Sequence, residues 1–261
     1  MSAWDIRTAA CELLTCERER RDREPLSDEW PDLDLATAYA IQDATLRQRV
    51  AAGQCRVGVK LGLTSRAKQR RMGVDEPIVA WLTDDMAMAA GEPVSAERFI
   101  HPRVEPEIAF VMGADLEGPG VTAATAMDAV AWVYAGADVI DSRYRDFRFT
   151  LPDVVADNAS SGAFVTGPTA LRPAGLDLTT EAVLVEVDGE IVDTATGAAV
   201  LGHPAEALAL AANALARRGQ SIMAGQVVLT GGLTDAYPVP PGANIAFHFT
   251  HLGSLTVRGG A

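Results

Sequence analysis

The sequence predicts an α+β fold in two parts, a helix-rich region over residues 1–90 and a β-rich domain over residues 91–261. Apolar residues recur at helical spacing in two early stretches, whereas short β-rich runs separated by turn residues dominate after Gly91. A third observation is a hairpin signal: Val183, Val185 and Val187 alternate with Leu184 and Glu186 ahead of the two-residue turn Asp188-Gly189.

Residues 5–23 place Ile6, Ala9, Ala10, Leu13 and Leu14 on one helical stripe, and the alternating charges of 17–24 make a solvated helix end. Pro25 and Pro31 break this pattern. It resumes over 35–50 through Ala38, Ile41, Ala44, Leu46 and Val50 until Gly53 stops it, and an extended segment follows over 57–61. Residues 104–112 and 132–140 read as strands with an Ala-rich helical stretch, 122–130, between them. A further helix opens at Pro204, buries Leu208, Ala211, Ala212 and Leu215, and ends at Gly219. Strands over 226–230, 244–250 and 254–258 complete the pattern, and the absence of an internal repeat excludes a solenoid.

The 261 residues can bury one large core, and 48% hydrophobic with 22% charged residues excludes wholesale disorder. With 35 acidic against 22 basic side chains the formal charge is −13, which argues against nucleic acid because phosphates need a basic surface. An anionic ligand would need a local cluster of positive groups or a metal. Cys11, Cys16 and Cys55 form an odd set without metal-type spacing, as expected of reduced thiols in a cytoplasmic protein. No signal-peptide pattern opens the sequence and no uninterrupted apolar run reaches the ~18–20 residues of a membrane span, so no membrane partner is expected.

The stretch His101-Pro-Arg-Val-Glu-Pro-Glu-Ile-Ala-Phe110 is the most informative. Residues two apart on a strand share a face, so Glu105 and Glu107 project together and repel unless a cation lies between them. Two solvated glutamates would give the same pattern. However, Pro106 marks an edge or bulge, and Asp138 is an isolated acid inside the apolar run 132–140, where a buried carboxylate needs a partner or an ion. Three carboxylates favour an oxygen-loving cation, Mg²⁺ or Mn²⁺, over zinc.

Lys60 stands between apolar residues ahead of Gly62; it either snorkels from a strand end or supplies positive charge or a proton beside a metal-bound anion. Residues 154–162 pack polar groups beside small ones, as in a ligand-gripping loop or an ordinary polar turn. Gly231-Gly232 lacks any accompanying phosphate-binding pattern, no G-x-S-x-G elbow occurs, and His203 reads as a helix cap or packing residue.

In combination, Lys60-Leu-Gly-Leu-Thr-Ser65, Met72-Gly-Val-Asp75, Val104-Glu-Pro-Glu107, Asp141-Ser-Arg143, Val155-Ala-Asp-Asn-Ala-Ser160, Leu201-Gly-His-Pro204 and Leu229-Thr-Gly-Gly232 resemble the fumarylacetoacetate hydrolase superfamily. Within it they resemble the group of 2-hydroxypenta-2,4-dienoate hydratases and 4-oxalocrotonate decarboxylases of aromatic meta-cleavage catabolism. The resemblance implies a mixed β-roll or barrel-like sandwich with peripheral helices, and Mg²⁺ or Mn²⁺ held by Glu105, Glu107 and Asp138. The family has glutamate at the third position, so Asp138 departs by one methylene. By the same carry-over Lys60, Asp157, Asn158 and Ser160 contact a small 2-oxo acid or dicarboxylate substrate. The implied partners are copies of the same chain and, in the decarboxylases, the sister hydratase. The wording of 67–78, 141–149 and 230–234 resembles the decarboxylases, whereas 161–164 and 172–178 resemble the hydratases. The favoured expectation is a decarboxylase; the alternatives are a hydratase and a non-catalytic partner subunit of a sister enzyme.

Overall fold

The computed structural model describes residues 4–66, 69–70 and 76–260. Helix α1 (Ile6–Glu19) starts where the Asp5 carboxylate accepts from the Thr8 amide at 2.7 Å. After the short α2 (Leu26–Glu29), α3 (Leu35–Ala51) starts in the same way, with Asp34 accepting from the Thr37 amide. Strand β1 (Arg56–Gly62) and β2 (Ile78–Thr83) follow, then β3 (Arg103–Met112), α4 (Ala123–Asp128), β4 (Val130–Ile140), α5 (Leu151–Ala156) and β5 (Ser161–Thr166). The hairpin β6 (Ala182–Val187) and β7 (Glu190–Thr196) precedes α6 (Pro204–Ala216). The strands β8 (Val227–Leu229), β9 (Tyr237–Pro238), β10 (Asn244–Phe249) and β11 (Ser254–Arg258) complete the fold.

The strands form two sheets. The larger has the order β2-β1-β8-β3-β4-β5, with β9 added beside β3; the smaller has the order β11-β10-β6-β7. Register shifts interrupt the ladders at Val111/Met112 between β3 and β4 and at Val139/Ile140 between β4 and β5. The two ends of the large sheet approach each other, since Ala87, just past β2, bridges Phe164 on β5 and the Met88 amide donates to the Phe164 carbonyl at 2.9 Å. The result is a curled half-barrel with a second sheet and N-terminal helices.

Two apolar cores follow from strand alternation. Val104, Ile108 and Phe110 of β3 point into the main core with Val133, Ala135, Ala137 and Val139 of β4, Val183 and Val185 of β6, and the apolar face of α6. On the other side, α1 and α3 bury Ala9, Leu13, Ala38 and Ile41 against Ile78, Ala80 and Val155. The described stretch long and apolar enough to cross a membrane, Gly197–Ala216, contains α6, whose Ala207, Leu208 and Ala211 lie in the main core.

Most sequence-predicted elements are present within a residue or two, including the hairpin, whose Asp188 and Gly189 both take the positive φ that its turn requires. His203 caps α6, its Nδ1 accepting from the Ala205 amide at 3.0 Å. The three cysteines are free thiols. Two features differ from the sequence expectation. Residues 154–162 are not one loop but the end of α5, a tight turn (Asn158–Ser160) and the start of β5, because Thr150 and Asp153 cap a helix with proline in its first turn. The large sheet draws strands from both sides of residue 90, as β1 pairs in parallel with β8. The motif Met72-Gly-Val-Asp75 lies outside the described residues, as does most of 67–78.

Candidate active site

Strand β3 has one face committed to the main core; its other face carries Arg103, Glu105 and Glu107. Opposite them in register on β4 lie Ile140, Asp138 and Gly136, so Glu105 and Asp138 are direct cross-strand neighbours. Glu107 is fully buried, and a Cβ on Gly136 opposite it would come within 3.1 Å of the Ala109 Cβ. Behind the acids, Gly231 and Gly232 follow β8 with no side chain to spare: a Cβ on Gly232 would lie 2.0 Å from Glu105 Oε2. The Gly231 amide donates to Glu107 Oε2 at 2.6 Å.

Lys60 comes from β1, separated from β4 by β8 and β3. In a flat sheet the two strands would stand about 14 Å apart at ~4.8 Å per spacing. The curl closes that gap, and Lys60 Nζ meets Asp138 Oδ2 at 2.5 Å, both side chains 2% exposed. Lys60 also donates to the Ala159 carbonyl at 3.0 Å. That carbonyl is aimed by three consecutive left-handed residues, Asn158, Ala159 and Ser160, with φ of 51, 51 and 56°. None is glycine, so each costs roughly 1 kcal/mol or more, a strain maintained only where the surroundings over-determine it.

Those surroundings are a buried polar frame. The Asp157 carboxylate is paired with the Arg143 guanidinium and accepts from the Arg143 amide at 3.1 Å. Arg143 in turn donates to the carbonyls of Asp141 at 2.7 Å and Ser161 at 2.9 Å. Burial pushes Asp157 up to about 6 despite the opposing Arg143 charge. Asn158 grips the Trp81 backbone from both sides, accepting from its amide and donating to its carbonyl, each at 2.9 Å.

The site opens into a cavity of about 570 Å³ lined by Lys60, Glu105, Asp138, Arg103 and Ser160, with apolar walls that include Phe147 and Phe149. Of the residues singled out in the sequence, Lys60, Glu105, Asp138 and Ser160 therefore line one cavity, and Glu107 is buried in the same charge cluster. Asp157 and Asn158 do not line it; they hold the turn that presents Ser160 and the Ala159 carbonyl. Sequence reasoning passed over Arg103 and Phe147. Arg103 was within reach of it, because it lies two residues before Glu105 on the same strand face.

The donor chemistry fits a hard divalent cation. Burial raises the Glu107 carboxyl well above its usual range, and the neighbouring Asp138 and Glu105 charges add to this, against the Gly231 amide and Lys60. Glu107 Oε1 is buried without a hydrogen-bond partner among the described residues. A cation would satisfy both features. Among the described residues no three acid, histidine or cysteine side chains converge as a finished cage. Asp138 already shares an oxygen with Lys60, so holding an ion requires the carboxylates to close together.

The family model described as fumarylacetoacetate (FAA) hydrolase C-terminal matches residues 49–258. The chain is 44% identical over 242 residues to a 4-oxalocrotonate decarboxylase of Pseudomonas sp. (strain CF600), covering 93% of this chain and 92% of that protein. It is 37% identical over 247 residues to a 2-keto-4-pentenoate hydratase of Paraburkholderia xenovorans (strain LB400), covering 95% and 92%. The structure of 4-oxalocrotonate decarboxylase from Pseudomonas putida G7, complexed with magnesium and adipate, superimposes with a TM-score of 0.95 at 40% identity over 97% of each chain.

Proposed function

The chain belongs to the fumarylacetoacetate hydrolase family, and from that premise we propose that it decarboxylates 4-oxalocrotonate (2-oxohex-3-enedioate) to 2-hydroxypenta-2,4-dienoate. Within the family it is a lyase of the meta-cleavage group that contains decarboxylases and hydratases. The observation that carries the reading is the buried Lys60–Asp138 pair beside Glu105 and Glu107, at a cavity with apolar walls.

In this substrate the C6 carboxylate is conjugated to the 2-oxo group through C5 and the C3=C4 bond once the C5–C6 bond aligns with the π system. As that bond breaks, CO₂ leaves and its electron pair passes through C4=C5 and C2=C3 onto the C2 oxygen. The dienolate then takes a proton on that oxygen. The task of the protein is to favour negative charge at C2 and neutrality at C6.

The residues divide that task. Mg²⁺ or Mn²⁺ held by Glu105, Glu107 and Asp138 would supply Lewis acidity toward the 2-oxo and C1 carboxylate oxygens. Lys60 Nζ, fixed by Asp138 and the Ala159 carbonyl, brings positive charge in a dry site, where it acts more strongly than in water. Ser160 offers a hydroxyl at the cavity. Phe147, Phe149, Val154 and Ile78 surround the substrate with apolar surface, which disfavours a carboxylate relative to CO₂.

One paired assay tests the reading. Purified protein with Mg²⁺ is expected to release CO₂ from 4-oxalocrotonate faster than it hydrates 2-hydroxypenta-2,4-dienoate. Hydration without CO₂ release would replace decarboxylase with hydratase.

A further inference from the structure

We propose that Arg103 selects six-carbon 2-oxo dicarboxylates over their monocarboxylate counterparts by pairing with the carboxylate far from the 2-oxo group. The inference rests on the 2-oxo acid reading above and deepens it, because that reading leaves the second negative charge of the substrate unmet.

Apolar walls that favour loss of CO₂ also oppose entry of a dianion, so a second cation is needed at the cavity. Among the described residues that line it, Lys60 and Arg103 are the cationic side chains. Lys60 is committed to Asp138. Among the described residues Arg103 makes no ion pair. Its guanidinium carbon lies 4.2 Å from the centroid of the Phe147 ring. Stacking of this kind fixes the plane of the guanidinium while leaving its edge free to donate two parallel N–H bonds to a carboxylate. Phe147 is steadied in turn by the His101 ring, 4.9 Å away between centroids.

The spacing suits the substrate. Arg103 and Glu105 are two residues apart on one face of β3, a separation of about 7 Å along the strand. An extended six-carbon chain spans about 6 Å from first to last carbon, with bonds near 1.5 Å. A substrate with its 2-oxo end at Glu105 therefore extends its far carboxylate toward Arg103. The contact exists in the ground state and is lost as CO₂ forms, so Arg103 acts on recognition and is not a catalytic residue.

The test uses two saturated probes that lack the C3=C4 bond and so can be neither decarboxylated by this route nor hydrated: 2-oxoadipate, and 2-oxohexanoate without the far carboxylate. Calorimetric titration with Mg²⁺ present is expected to show the wild type binding 2-oxoadipate ~10–100-fold more tightly, the range of a charge-assisted pair. Arg103→Gln should bring the two affinities within ~3-fold of each other while leaving that for 2-oxohexanoate unchanged, which also shows that the variant is folded. Arg103→Lys should recover part of the preference. In turnover, Arg103→Gln should raise KM for 4-oxalocrotonate without lowering kcat. A wild type without preference, or a glutamine variant that keeps it, overturns the proposal. Loss of the preference in the variant, in a protein that releases no CO₂, would support the proposal while overturning the decarboxylase reading. CO₂ release with the preference intact in the variant would do the reverse.

Discussion

Replacing Lys60 with methionine tests the centre of the site. The Lys60–Asp138 contact of 2.5 Å between side chains 2% exposed corresponds to a gross attraction of about 6–7 kcal/mol at an effective dielectric of ~20. Desolvation of both charges offsets part of this, so removing one partner of such a buried pair costs about 3–5 kcal/mol. The loss is compounded here because Glu107 lies in the same cluster and already has its ionisation disfavoured by burial and by the Asp138 and Glu105 charges. In a domain of this size each kcal/mol moves the melting temperature by about 2–4 °C, so Lys60→Met should melt on the order of 10 °C below wild type at pH 8 with chelator present. Mg²⁺ should recover part of the difference by supplying positive charge to the same acids. Turnover should fall by ~10²–10³ even with saturating Mg²⁺, while the affinity for Mn²⁺ is retained or improved, since an ammonium can only repel the ion. Equal melting temperatures in chelator would refute the role of Lys60 as counter-charge. An unchanged kcat would remove it from the reaction.

Glu107→Gln should abolish Mn²⁺ binding by calorimetry yet stabilise the metal-free protein at alkaline pH. The folded-state Glu107 carboxyl is raised, so its contribution is full below the ordinary glutamate range and is lost as pH rises from there through the folded value. The decline of wild-type stability over that window, measured by urea unfolding in chelator, should be smaller in the variant; identical profiles would place the titration elsewhere. Gly232→Ala should drive Glu105 aside, because the new Cβ would lie 2.0 Å from its Oε2, and weaken Mn²⁺ affinity by ~10-fold or more with little change in melting temperature. Arg143→Met should cost about 3–5 kcal/mol by stranding Asp157, and Arg143→Met with Asp157→Leu should recover much of it. Additive losses in the double variant would count against the pair as the source.

The sequence made the β3 carboxylates legible because they obey two rules at once, period-two alternation and an apolar opposite face. Asp138 was legible for a related reason, as a lone acid in an apolar strand. β2 was not, since all six of its residues are buried and leave no alternation to read. The substrate-contact role expected of Asp157 and Asn158 comes from the family resemblance, since polar residues beside small ones look alike whether they face a ligand or the backbone. Only the three-dimensional structure shows their carboxylate and amide turned toward Arg143 and Trp81. The meeting of Lys60 with Asp138 depends on sheet curl, a property of bulges and closure that no local pattern encodes.

The internal ammonium beside Asp138 also bears on the order of events in the life of the chain. Small zinc domains are unfolded until their ion arrives, because their folding free energy is largely the free energy of binding it. Here the chain brings part of its own counter-charge to the acid cluster, so synthesis and folding need not wait for metal supply. On the proposed metal site, loading would be an exchange on a finished protein, open to competition between magnesium and manganese. The identity of the working ion would accordingly follow availability as much as affinity.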